Sequence, residues 1–162
     1  MKRYRLLLVF GVLVSLSSLA IAILHRPSVE ARISTLIERA GSRTFAIADA
    51  TAFPWDRLFV FPPYASPETI RGVLGFAWDT PPSARIESRD DIALLVFVHA
   101  GQVVAHSAQP RRPGDFALVP VGPFSRATAI FRVVPRKRWP QLQAVHPSFA
   151  AEQRRLIKQG WR

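Results

Sequence analysis

The sequence predicts an α+β fold: an N-terminal transmembrane helix, a small and mainly antiparallel sheet with two short helices, and a C-terminal basic amphipathic helix. Three observations carry this. Residues 6–24 (LLLVFGVLVSLSSLAIAIL) run without a single charge behind Lys2, Arg3 and Arg5. Two short apolar-periodic segments begin with a serine cap and end in glycine. The runs IALLVFVH and QVVAHS flank Ala100-Gly101, as the arms of a hairpin flank its turn.

The uncharged run, as a helix, would span roughly 28 Å, close to the hydrocarbon thickness of a bilayer. The cations before it favour an N-terminus on the cytoplasmic side and an exported body. The expected layout is a cytoplasmic N-terminus over 1–5, a membrane helix over 6–24, an exported α+β domain over 25–135 and a basic tail over 136–162. This is the arrangement of a bacterial inner-membrane protein with its body in the periplasm. Ala20-Ile21-Ala22 has the small-x-small form of a cleavage site, so a cleaved signal peptide is the competing reading. Both readings export the same body. With no cysteine, neither a lipid anchor nor a disulfide is available.

Beyond the apolar run, Ser28 caps a helix with Glu30 in its first turn, Val29, Ile33, Leu36, Ile37 and Ala40 on one stripe, and Gly41 as its stop. Arg43 to Asp49 alternates as a strand does. Arg57 to Phe61 (RLFVF) is apolar on both faces, which suits a central strand, and Pro62-Pro63 ends it. Ser66-Pro67-Glu68 opens a second helix with Ile70, Val73 and Leu74 inward and Gly75 at its close. A loop follows, with Arg85 to Ser88 as a short strand. The hairpin pairs His99 with Gln102 and His106 with Leu95, placing both histidines on one sheet face about 13 Å apart. Asp115 to Val119 and Ala127 to Val134 complete the strands, with helices on one side of the sheet. After Pro135, His146-Pro147-Ser148 introduces a helix with Phe149, Leu156, Ile157 and Trp161 on one face.

The formal net charge is +11, and Arg132 to Arg162 holds eight cations against Glu152 alone. Such a basic end suits an anionic lipid or polymer surface, or an acidic partner. Nineteen of the 22 cations are arginine and asparagine is absent, a bias that also fits a GC-rich genome. The total charge therefore argues for solubility more than for a ligand.

The search for chemistry excludes more than it finds. The histidines are too far apart to share a metal ion, and no ligand cluster has metal spacing, so no metal or cofactor is expected. No GxSxG, GxGxxG or P-loop pattern occurs. Asp90-Asp91 reads as a solvated turn, since adjacent strand residues point apart. No catalytic residue is assigned. The candidate binding residues are Trp55, Asp56 and Tyr64 in the aromatic–proline stretch, and Arg136, Lys137 and Arg138 in the tail. Arg111-Arg112 and Arg136–Arg138 are suited to gripping phosphate, but only Trp139 accompanies them, so no nucleic-acid partner is expected. Asp56 reads more readily as a backbone cap than as an acid or base.

WDRLFVFPPY, the short helix ending in LG, and LLVFVHAGQVVAH together resemble a group of uncharacterised small bacterial proteins with an N-terminal membrane segment or lipoprotein signal. The resemblance covers about residues 45 to 134 and implies no activity. It marks Trp55-Asp56 and Pro63-Tyr64 as positions that matter. The expected function is that of a membrane-anchored envelope protein whose periplasmic α+β domain binds another envelope protein. The alternatives are an anionic lipid or polymer binder acting through the basic tail, and a hydrolase using Asp56 with Tyr64 or His106.

Overall fold

The computed structural model describes residues 27–159. The apolar run 6–24 and Trp161 lie outside them, as does the side chain of Leu156. Among the described residues no helix is long and apolar enough to cross a membrane.

Helix α1 spans Val29–Ala40, capped by the Ser28 hydroxyl, which accepts from the Ala31 amide at 3.1 Å, and closed by Gly41 at φ +56°. Its buried face is Ile33, Ile37 and Ala40. The strand expected next is short: β1 covers Thr44–Ala46, and Ile47–Ala50 coils into a 3-10 turn that buries Ile47 and Ala50. Strand β2 is Arg57–Phe61 and helix α2 is Pro67–Leu74, capped by Ser66 and by Gly75 in the left-handed conformation. Val73, expected inward, is exposed, while Ile70 and Leu74 carry the buried face. Arg85–Ser88 is no strand; a 3-10 turn at Pro82–Ala84 precedes it and Ile86 anchors the loop in the core. Strands β3 (Ile92–His99) and β4 (Gln102–Pro110) form the hairpin, and β5 is Ile130–Val134.

Two departures reshape the topology. Asp115–Val119 is not a strand; Asp115 alone bridges to Gln141. Gln141–Ala144, within the stretch assigned to the tail, forms β6 against β5. There are accordingly two antiparallel three-stranded sheets, ordered β1-β5-β6 and β2-β3-β4, rather than one. The central strand of the second is β3, not β2. Strand β2 is buried on both faces by side-chain packing on each side of the sheet, and its outer edge is covered as well: Val60 donates to the Val121 carbonyl, and Leu58 and Phe124 exchange both backbone hydrogen bonds at 2.8 and 2.9 Å. Gly122 permits this approach at φ +106°, where a Cβ would sit 2.7 Å from the Leu58 carbonyl oxygen.

The core lies on both faces of β2-β3-β4. On one face Leu58, Val60, Leu95 and Phe97 pack with Phe45, Phe131 and Leu142 of the other sheet and with Ile33 and Ile37 of α1. On the other, Phe59, Phe61, Leu94, Val96 and Val98 lie beneath Ile70 and Leu74 of α2 and Ile86. Helices therefore do not gather on one side of a single sheet. Helix α3, Pro147–Gln159, docks through Phe149, whose ring lies 4.0 Å from that of Phe124, and through Gln153; Ile157 is largely exposed. Of the expected apolar stripe, Phe149 packs inward and Ile157 does not, while Gln153 adds a buried amide contact.

Candidate functional site

The sequence singled out three places, and the structure brings two of them together at Arg111. The first is the corner before β2. Trp55 is a core residue: its indole N–H donates to the Thr51 hydroxyl at 2.8 Å, its ring meets Phe97 edge-on, and Arg126 covers it at 5.0 Å. Asp56 is committed to the hairpin turn. Its carboxylate accepts from the Ala100 amide at 3.0 Å, with Arg57 Nε and His99 Nδ1 each 3.7 Å away. Ala100 sits at φ +50°, a strained position for alanine, and the Asp56 clamp holds it. The carboxylate is thus spent on a backbone amide, while the imidazole of His99 stands beside it at 3.7 Å, beyond hydrogen-bond reach.

The histidines do not share a face. Val98 pairs with Val103 but Phe97 with Ala105, so Val104 bulges and the register slips by one residue. His106 then opposes Val96, on the α2 side of the sheet, while His99 stays beside Asp56. His106 Nε2 lies 3.0 Å from the Ser83 hydroxyl, and desolvation pushes its pKa down. Among the described residues no group of three metal-ligating side chains comes together.

The second place is Tyr64, which follows Pro62-Pro63 at φ +66°. Its backbone amide donates to the Ile86 and Arg89 carbonyls, and the residue is 62% exposed. With Pro62, Pro63 and Leu118 it lines a hollow of about 160 Å³, at whose polar end stand Asp90 and Arg111.

The third place is where the basic segments converge. The backbones of 111–115 and 139–142 run side by side: Asp115 donates to the Pro140 carbonyl at 2.7 Å, and Leu142 donates back to the Asp115 carbonyl at 3.0 Å. Gly114 allows this packing, since a Cβ there would lie 2.9 Å from Leu142 and 3.1 Å from Ile37. The result is a ring of arginines on Trp139. The guanidinium carbons of Arg111, Arg112 and Arg138 lie 5.6, 5.8 and 5.6 Å from its ring centroid. Arg111 is fixed by the Asp115 carboxylate at 3.0 Å and by the Asp90 carbonyl. Arg112 donates to the Arg138 carbonyl at 3.2 Å. Arg136 and Lys137 are exposed on the same β5–β6 connection. Among the described residues no carboxylate lies within 4.0 Å of Arg112, Arg136, Lys137 or Arg138.

Arg111, Arg112 and Trp139 were noted in the sequence as suited to phosphate but were not assigned as binding residues. Their types were visible in the sequence, but the pairing of Asp115 with Pro140 and Leu142 that joins them was not. The chain matches no family model, no curated protein and no solved structure.

Proposed function

We propose that this is a membrane-anchored envelope protein whose exported body binds a phosphate-bearing anionic surface through Trp139 and the arginines around it. The observation that carries the reading is the convergence of Arg111, Arg112 and Arg138 on one indole, where Asp115 is the one carboxylate among the described residues within 4.0 Å of any of their guanidinium nitrogens. Guanidinium forks match phosphate oxygens in geometry, and an indole beside them suits the boundary between apolar and ionic layers. The anchor and the export of the body rest on the uncharged run 6–24 and the cations before it.

The test places the full chain in zwitterionic nanodiscs and measures its co-flotation with phosphatidylglycerol vesicles across a salt series. Binding should fall steeply with salt and weaken at least tenfold in R112Q/R138Q. Salt-independent binding, or equal binding by the variant, overturns the reading.

A protein partner is the second reading, favoured by Tyr64, an exposed aromatic ring held at positive φ over an apolar hollow. A photo-crosslinker at position 64 should then yield one stoichiometric adduct in membranes, and its absence removes this reading.

A further inference from the structure

Helix α1 carries a second cationic feature that the Trp139 cluster does not use. Arg32, Thr35, Leu36 and Arg39 follow one another at spacings of three, one and three residues, which places them along one stripe of the helix. That stripe lines a hollow of about 400 Å³, together with Asp49 and Pro27. Arg32, which lines the hollow, has its Nε buried without a hydrogen-bond partner among the described residues. No described carboxylate comes within 4.0 Å of either guanidinium, Asp49 included. A buried donor on a permanently charged group carries its full desolvation cost until an acceptor arrives.

We infer that this hollow binds a single phosphate group, gripped between Arg32 and Arg39. The two residues are seven apart, so about 10.5 Å separates their Cα atoms along the helix axis, a span that two long side chains bridge from opposite sides of one anion. The Thr35 hydroxyl supplies a third donor on the same stripe. Phosphate suits this donor set better than a carboxylate, because two guanidinium forks ask for more than two acceptor oxygens. Asp49 and Leu36 narrow the ligand further. The carboxylate disfavours a long polyanion and accepts from a hydroxyl, while Leu36 offers an apolar wall. A phosphate ester carrying a hydroxylated carbon chain, of the glycerol phosphate type, satisfies all five side chains.

Such a group has two sources, a soluble ester and a lipid headgroup. Val29 begins five residues after Leu24, a stretch of at most about 18 Å. An anchored chain therefore holds this hollow within reach of the headgroup layer. Only the choice of source rests on the anchor; the site does not.

The experiment measures hydrogen exchange at 29–40 and 47–50 in the full chain. One arm titrates glycerol phosphate onto the chain in zwitterionic nanodiscs, and the other replaces those discs with phosphatidylglycerol discs. Exchange should slow in at least one arm, saturably in the first. R32Q and R39Q should each weaken the effect about tenfold, whereas R112Q/R138Q, which strips the Trp139 cluster, should leave it in place. Protection in the first arm identifies a soluble ester as sufficient, and protection in the second alone identifies the headgroup. The exposed Arg39 keeps the test valid if R32Q perturbs folding. No protection in either arm, or parent-like protection in R39Q, overturns the inference. Loss of vesicle binding in R112Q/R138Q with this protection intact would separate the two sites.

Discussion

Replacing Gln153 by leucine tests the least expected element of the fold. Gln153 stands in α3 and is buried. Its side-chain carbonyl accepts from the Ala144 amide at 2.7 Å, and its NH2 donates to the Leu142 carbonyl at 2.6 Å. Residues 142 and 144 point these groups outward from β6, the last strand of its sheet. The glutamine amide thus supplies what a neighbouring strand would. Leucine retains the bulk but orphans both backbone groups, in residues that are at most 1% exposed. Each buried, unpaired group costs about 1–3 kcal/mol, so the pair predicts a loss of about 2–4 kcal/mol, allowing for partial water access. A domain of this size holds about 5–15 kcal/mol in all, so the effect is large. Urea unfolding of the full chain in zwitterionic detergent, followed by near-ultraviolet circular dichroism, should show a lower midpoint at unchanged slope. A loss below about 0.5 kcal/mol, the range of an ordinary surface change, would refute the edge-capping argument.

Two further perturbations probe the hairpin and its neighbour. Ala100 and Gly101 both lie at positive φ, at +50° and +78°, the two-residue turn that asparagine-glycine prefers. A100N should therefore raise stability by about 0.5–1 kcal/mol in the same unfolding assay, and a neutral or destabilising result would contradict the turn assignment. His106 is held below its ordinary pKa by desolvation. The unfolded chain then takes up the proton first, so stability is present above the unfolded pKa near 6.5 and is lost as pH falls through the folded value. The thermal midpoint should drop between pH 7 and pH 5, and H106Q should flatten that drop; an equal slope in the variant would remove His106 as its cause.

Local signals in this chain were legible, and distant pairings were not. Ser28 and Gly41 bracket α1, and Ser66 and Gly75 bracket α2, because caps act on backbone groups a few residues away. The β3–β4 hairpin was legible for the same reason. Its register was not: Val104 looks like any strand valine, yet its bulge turns His106 to the opposite face from that expected. Strand β6 was hidden because QLQA is short, only half apolar, and embedded in the most basic part of the chain. Charge there suggested a solvated tail, whereas Leu142 and Ala144 are core. Alternation also cannot say which strand pairs with which. The β1–β5 ladder joins Phe45 to Phe131 across most of the body, and this pairing divides the strands into two sheets. Asp56 was read correctly as a backbone cap, although its target, the amide of Ala100, lies 44 residues away.

The Trp139 cluster raises the question of why folding gathers like charges. Each guanidinium carbon lies within 5.8 Å of the ring centroid, so no two are more than about 11.6 Å apart. In water that separation leaves at least about 0.4 kcal/mol of repulsion per pair, or about 1 kcal/mol for the three pairs. Cation–π attraction at an exposed indole returns about 0.5–1 kcal/mol for each arginine, and Asp115 neutralises one of them. The attraction, about 1.5–3 kcal/mol for the three, is at least comparable to this repulsion, so the gathered charges do not strain the fold. An incoming phosphate changes the balance, because it converts the repulsion into attraction while the indole contacts persist. Salt separates these roles. At about 0.1 M the screening length is near 10 Å, comparable to the arginine separations. Added salt should therefore leave the unfolding free energy of the body nearly constant while weakening its hold on an anionic surface. If instead stability itself fell in step with binding, the arginines would be structural, and Trp139 would be no more than their platform.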